Sequence, residues 1–507
     1  MAVPLILKNQ TDHRQDPNPD TTHLSSSLQE AKSIAKISLP MILTGLLLYS
    51  RSMISMLFLG RLNDLPALSG GSLALGFANI TGYSLLSGLS IGMEPICVQA
   101  FGAKRFKLLG LALQRTTLLL LLCSLPISIL WLNIKRILLF FGQDEEISNQ
   151  AEIFILFSLP DLFLQSLLHP LRIYLRSQSI TLPLTYSAFF AVMLHIPINY
   201  LLVSSLGFGL KGVALGGIWT NVNLLGFLII YIVFSGVYEK TWGGFSIDCF
   251  KGWRLLMKLA IPSCVSVCLE WWWYEIMILL CGLLLNPQAT VASMGILIQT
   301  TALIYIFPSS LSVSVSTRVG NELGANQPDK ARTGAITGLC LSLGLGLLAM
   351  FFALMVRNWW ARLFTVEEEI LKLTSMVLPI IGLCELGNCP QTTMCGVLRG
   401  SARPKLGANI NLCCFYFVGM PVAIWLSFFR GFDFKGLWLG LFAAQGSCLV
   451  SMLVVLAKTD WEAEVHRAKE LMTRSCDDDG SGSNTTPFLL DSLDIEESGN
   501  YRHLNVF

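Results

Sequence analysis

Twelve runs of mostly apolar residues follow one another between residues 36 and 457, and each is long enough to cross the ~30 Å hydrocarbon core of a bilayer. Their approximate limits are 36–59, 70–95, 109–133, 149–173, 181–204 and 209–235, then 255–284, 291–316, 333–356, 369–396, 405–428 and 436–457. Backbone groups in hydrocarbon must bond within their own segment, so each run predicts a membrane-spanning helix. Polar stretches at 8–30 and 474–507 read as disordered tails, with Pro17, Pro19 and a Ser/Thr run in the first and Asp477–Asp479 and Gly480 in the second.

The polar connections set the orientation. Lys104, Arg105 and Lys107 fall between runs 2 and 3, and Arg172 and Arg176 between runs 4 and 5. Lys240, Lys251 and Arg254 fall between runs 6 and 7. Arg318, Lys330 and Arg332 follow run 8, and Arg399, Arg403 and Lys405 follow run 10. The alternate loops are poorer in basic residues, although Lys135, Arg136, Arg357 and Arg362 lie there. The bias places both termini in the cytoplasm.

The two sets of six runs repeat. Lys36–x3–Pro40 returns as Lys258–x3–Pro262, and Phe101-Gly102-Ala103 as Leu323-Gly324-Ala325, both at an offset of 222. Leu175-Arg176 returns as Leu398-Arg399 at 223, and Pro197 as Pro421 at 224. Six helices is an even number, so both copies enter the membrane the same way. The expected fold is all-α, with twelve transmembrane helices in two pseudo-symmetric six-helix bundles around a central cleft, and rocking of the bundles gives alternating access. The expected divisions are a tail at 1–30, an N-lobe at 31–236, a linker at 237–254, a C-lobe at 255–458 and a largely disordered cytoplasmic tail at 459–507.

Composition agrees with this reading. Of 507 residues, 53% are hydrophobic and only 13% charged, about half the charge of a soluble chain. The net charge of +2 gives no field that would draw nucleic acid. The 14 cysteines are scattered, mostly in apolar runs, without metal-ligand spacing. No phosphate-binding GxxxxGK[ST] loop is present, which disfavours ATP-driven transport, and no metal-ligand set or Ser/His/Asp constellation supports a hydrolase.

Several motifs carry a resemblance to a known family. Pro95-Ile-Cys-Val-Gln-Ala-Phe-Gly-Ala103 resembles the P-x-x-x-Q-A-F/Y-G-A signature of the multidrug and toxic compound extrusion (MATE) transporters, and Arg318-Val-Gly-Asn-Glu-Leu-Gly-Ala325 its second-half counterpart. Cys268-Leu-Glu-Trp-Trp-Trp-Tyr-Glu275 resembles the family's helix-7 motif and Gly396-Val-Leu-Arg-Gly400 its helix-10 motif. The wording Glu385-Leu-Gly-Asn-Cys-Pro-Gln-Thr-Thr393 is similar to the plant detoxification-type branch. The resemblance implies a V-shaped pair of lobes and cation-coupled export, usually of organic cations or of plant metabolites and hormones.

An ionisable residue at membrane depth costs roughly 2.5–3.5 kcal/mol on insertion scales, so it usually faces a cavity and has a use. Asp161, Glu270, Glu275 and Glu385 are the candidates for proton and substrate coupling. Glu270 and Glu275 match the helix-7 acids of the family. Five residues turn about 140° on a helix, so the two are not expected to share one face, and Glu270, deeper in its run, is the expected main carboxylate. The family's usual helix-10 acid falls at Asn388 here, and Glu385, one turn earlier, is the expected substitute. Asp161 sits opposite Cys384 or Glu385 under the repeat, with Asn79 and Asn199 as expected neighbours.

Trp271 and Tyr274 are the expected cation-facing rings, with at most one or two of Trp271–Tyr274 turned to the cleft; Tyr305 and Phe307 are weaker candidates. His169 and His195 read as structural histidines, and Arg51 as a residue that snorkels or faces the cleft. Pro40, Pro197, Pro262, Pro308 and Pro421 are expected at kinks. Asn79-Ile-Thr81 matches a glycosylation sequon inside a helix.

The expected function is secondary active efflux of a small organic solute in exchange for protons, by a monomeric transport unit in a lipid bilayer, with no cofactor beyond the proton gradient. Sodium coupling and a membrane signalling or scaffold role on the same fold stand as alternatives. The expected location is the plasma membrane or an endosomal or vacuolar membrane, Phe488-Leu489-Leu490 being a weak sorting signal.

Overall fold

The protein is described by a computed structural model covering residues 19–60, 65–244 and 247–477. Among the described residues, twelve helices are long and apolar enough to cross a membrane. They are α1 (Pro19–Gly60), α2 (Pro66–Gly102), α3 (Phe106–Leu132), α4 (Glu145–Ser177), α5 (Leu182–Ser205) and α6 (Gly209–Ser235). The second set is α7 (Trp253–Cys281), α8 (Pro287–Gly324), α9 (Pro328–Val356), α10 (Glu368–Gly400), α11 (Pro404–Phe429) and α12 (Phe434–Ala457). A further helix, α13 (Trp461–Asp477), follows. The order is the one expected from the apolar runs, although at the end rich in basic residues α2 and α8 continue for about two turns, and α4 for about one, past the hydrophobic stretch.

Helix also runs into both stretches expected to be tails. α1 starts at Pro19, and Glu30 within it is held by Arg318 of α8. In α13, Trp461, Val465, Ala468 and Met472 recur at helical spacing as one buried stripe. Residues 1–18 and 478–507, with Phe488–Leu490, lie outside the described residues.

The repeat reappears in irregular backbone. Five- to eight-residue π-helical segments follow Pro197 (Tyr200–Ser205) and flank Pro421 (Leu412–Gly419 and Trp425–Phe429). Each widens the turn beside a proline that cannot donate a backbone bond. A third segment, Asn79–Tyr83, interrupts α2.

The lobes meet along α1, α2, α7 and α8, with α1 packed on α8 and α7 on α2, one contact made twice under the repeat. Near the basic end the backbones nearly touch. A Cβ on Gly102 would fall 2.0 Å from the Asn321 carbonyl oxygen, and one on Gly324 2.1 Å from that of Gln99. The offset of 222 carries Gln99 to Asn321 and Gly102 to Gly324, so this is a self-complementary contact on the pseudo-two-fold axis. Gln99 Nε2 donates to the Gly400 carbonyl at 2.9 Å, and Arg318 donates to both carboxylate oxygens of Glu30 at 2.8 and 2.9 Å. Helix α13 lies across the same seam. Its Trp461, Val465 and Ala468 pack with the C-lobe residues Val315, Val319 and Val397, while Leu471 and Met472 pack with Met93, Ile96 and Leu109. Arg403 pairs with Glu464 at 3.1 Å, and Arg105 donates to the Met472 carbonyl at 3.0 Å.

Candidate functional site between the lobes

Beyond the seal the lobes diverge around a chain of cavities. A cavity of about 320 Å³ on the α7–α8 side shares Asn79, Trp271 and Gln299 with one of about 540 Å³ on the α1–α2–α4 side. The second shares Ser87, His169 and Arg172 with a third of about 270 Å³ that reaches toward the seal. The shared walls make one cleft.

Glu270 is half-buried on the wall of the α7–α8 cavity, which it shares with the Tyr305 hydroxyl beside it. Glu275 lines the same cavity, so the two acids, about 140° apart on the helix as expected, share a cavity without sharing a face. The cavity follows α7 through residues 270, 271, 272, 274 and 275, an arc of about 200°, so it is wider than a single helical stripe. Trp271, Trp272 and Tyr274 all line it, one ring more than expected. Trp273 points the other way and is wholly buried, 5.5 Å from Phe415 and 6.2 Å from Tyr416 between ring centroids. Tyr305 lines the cavity and Phe307 does not.

Glu385 and Asn388 stand behind this wall. The Glu385 carboxylate is buried and accepts from Asn388 Nδ2 at 2.9 Å and from Cys389 Sγ at 3.6 Å, while Asn388 Oδ1 accepts from Gln445 Nε2 at 3.3 Å. Among the described residues no Lys or Arg pairs with Glu385 or Glu270, although Arg399 is within electrostatic reach of Glu270, and Glu270 of Glu385. Asn388, expected in the cleft, is instead a buried support for Glu385, because residues one turn apart on α10 face the same α12 neighbours.

On the N-lobe side Asp161 lines the larger cavity and accepts from Tyr83 at 3.0 Å and from Asn221 Nδ2 at 2.5 Å. Arg51 donates to Asn221 Oδ1 at 2.8 Å and lines the same cavity. Asn79, on the π-helical segment, borders both cavities. Asn199 is not a neighbour of Asp161. It is fully buried between α5 and α6, donates to the His195 carbonyl at 2.8 Å, and fills the space over Gly216. His195 is structural as expected, bonded to Ser55 at 3.0 Å and Thr220 at 2.6 Å. His169 departs from its expected role by lining the cleft.

The sequence reading passed over Tyr83, Asn221, Gln299 and Arg172. Arg172 carries a signal, being an arginine inside the last turn of the fourth apolar run, but its charge reads there as part of the basic connection that follows. The helix continues to Ser177, so Arg172 lines the cleft instead. Arg176, one turn on, pairs with the buried Glu94 at 2.6 Å, and Arg399, its repeat mate, lies within electrostatic reach of Glu94. Arg176→Ala is expected to destabilise the protein by about 3 kcal/mol, the low end for a broken buried pair, because Arg399 still opposes Glu94. Thermal unfolding in detergent measures this, and adding Glu94→Gln should recover part of the loss.

Two six-helix lobes around a polar cleft at membrane depth define a membrane transporter. The MatE family pattern matches residues 40–201 and 262–425, one match in each lobe. The chain is 92% identical over 500 residues to Protein DETOXIFICATION 49 of Arabidopsis thaliana, covering 98% of this chain and 99% of that protein. It is 64% identical to Protein DETOXIFICATION 48 of Arabidopsis thaliana over 88% of this chain and 84% of that one. Among solved structures it resembles that of the eukaryotic MATE transporter AtDTX14, with 31% identity, a TM-score of 0.84, and coverage of 88% of this chain and 100% of that chain. The chain belongs to the MATE family of efflux transporters, as the motifs at Pro95–Ala103 and Cys268–Glu275 led one to expect.

Proposed function

We propose that this transporter exports a small organic solute in exchange for protons, with Glu270 as the carboxylate that holds either a cationic group of the solute or a proton. The observation that carries the reading is the placing of Glu270: at membrane depth, on the cleft wall, beside a tyrosine hydroxyl and with no Lys or Arg partner among the described residues. A carboxylate so placed has a use for its charge and a route to exchange it. Glu275 adds acidity along the same wall. Glu385, with Asn388, is a second proton acceptor behind it, and Asp161 one across the cleft. Residues 31–236 and 255–458 act as rocking lobes of a single chain, and no cofactor is used.

With basic loops and both termini in the cytoplasm, the sealed end is cytoplasmic and the cleft opens outward. A proton entering from outside neutralises Glu270 and releases the solute. Proteoliposomes given matched pH and sodium gradients test the coupling. Efflux should quicken under the pH gradient and ignore the sodium gradient; the reverse response would replace the proton with sodium, and indifference to both would remove secondary transport.

A further inference from the structure

The two halves of the cleft carry opposite charge. On the C-lobe side the acids Glu270 and Glu275 line the wall. On the N-lobe side His169, Arg172 and Arg176 lie on one face of α4, with Arg51 opposite on α1. Two acids lie near these three arginines. Glu94 is taken by Arg176. Asp161 is within electrostatic reach of Arg172, but its oxygens accept from Tyr83 and Asn221. One positive charge is therefore in excess, and it falls on Arg172, which among the described residues has neither a carboxylate nor a hydrogen-bond acceptor. Arg172 borders both N-lobe cavities, beside the Ser87 hydroxyl. A guanidinium held in a cleft without a partner is a ready site for an anion, since its planar donors match a carboxylate and its hydration shell is already thinned.

Resting on the exchange reading above, we infer that the solute is amphoteric: an anionic group, of the carboxylate class, seats on Arg172 while an ammonium group faces Glu270, with an apolar body between them along Trp271. The spacing follows from the seam. Gly92 faces Ala260 and Gly88 faces Cys264, which sets the register of α2 against α7. Arg172 lines a cavity with Ser90 and Ile91, next to the Gly92–Ala260 pair, and so lies roughly eight to ten residues nearer the seal than Glu270, or on the order of 10–15 Å along the axis. The reach of both side chains shortens this to the length of a bicyclic aromatic carrying a group at each end. The arrangement also fixes the sign of coupling. Protonation of Glu270 removes the attraction for the ammonium end and leaves the anionic end held by one contact, so release follows proton entry.

The test uses the purified full-length chain in detergent and three probes of one shape: 6-(aminomethyl)-2-naphthoate, its carboxamide and its N-acetyl derivative. At fixed pH the zwitterion should bind at least about tenfold more tightly than either derivative, the discrimination a charge-assisted hydrogen bond supplies. Arg172→Gln should bring the carboxylate-over-carboxamide ratio to about one and leave the amine-over-acetyl ratio above it, whereas Arg172→Lys keeps most of the first ratio. Glu270→Gln should do the converse. Zwitterion binding no tighter than carboxamide binding, no measurable zwitterion binding, or an Arg172→Gln loss shared equally by all three probes would overturn the inference. Glu270→Gln flux that still follows a pH gradient would sink the exchange reading instead, a separate outcome from the ligand ratios.

Discussion

Replacing Glu270 with glutamine is expected to abolish the response of solute flux to an imposed pH gradient while the protein stays folded. Glutamine keeps the size of the side chain and an oxygen that can accept from Tyr305, so the wall of the cavity survives. It cannot take up or release a proton, and it carries no charge for the solute to trade against one. Gradient-driven flux should fall by about 5- to 150-fold, the span of a typical coupling free energy between two linked sites. Residual downhill flux should no longer change with the gradient. Paired measurements in proteoliposomes and by thermal unfolding separate loss of coupling from loss of fold: an unfolding midpoint near that of the parent with flux still driven by pH would show that the exchangeable proton sits elsewhere. Glu385→Gln is the informative comparison. Its carboxylate is buried behind the wall and bonded to Asn388 and Cys389, so a larger effect there than at Glu270 would move the main site to α10.

Gly102→Val should hold the lobes apart at the end they now seal. The added Cβ would meet the Asn321 backbone oxygen at 2.0 Å, and a carbonyl within a helix cannot swing aside as a side chain could. Overpacking of this kind costs about 1–3 kcal/mol or more. The sealed state should lose population by roughly 5- to 150-fold relative to the state open at that end, since each ~1.4 kcal/mol is a factor of ten. Lys107 and Asp329 are exposed, follow Gly102 and Gly324 by five residues on opposite lobes, and are themselves related by the offset of 222. Spin labels there should report a longer distance in Gly102→Val than in the parent, and transport should fall with it. Gly324→Val should give the same shift, because it meets the same contact from the other lobe. The double variant should add little, two neighbours sharing one contact being non-additive. An unchanged distance distribution would mean that the seal is not held by these glycines.

The apolar runs and the internal repeat made the architecture legible, because a bilayer constrains both the length and the hydropathy of every spanning segment. The position of the α7 acids on a cavity wall was legible for the same reason, since a carboxylate at that depth usually faces a cavity. What escaped was rotation. Whether Asn199 or Asn221 approaches Asp161 depends on the angular setting of α5 and α6, and no spacing in one sequence fixes it. The π-helical turn at Asn79–Tyr83 alters that setting within α2 itself. Helix ends were the other weakness. Apolar run lengths stop where hydropathy stops, whereas α4 and α8 continue through polar contacts such as Arg176 with Glu94 and Arg318 with Glu30, and the arginine at the edge of the fourth run reads as the start of a basic loop.

Helix α13 bears on how the transport cycle can be watched. It rests on both lobes at once, through Trp461 on one and Met472 on the other, and so it has a complete footing only while the seam is shut. Parting the lobes must strip it from at least one side, exposing amides that were shielded. Deuterium uptake across residues 461–477 should therefore rise and fall with each turnover, a clock hand outside the bilayer that keeps time for a movement inside it.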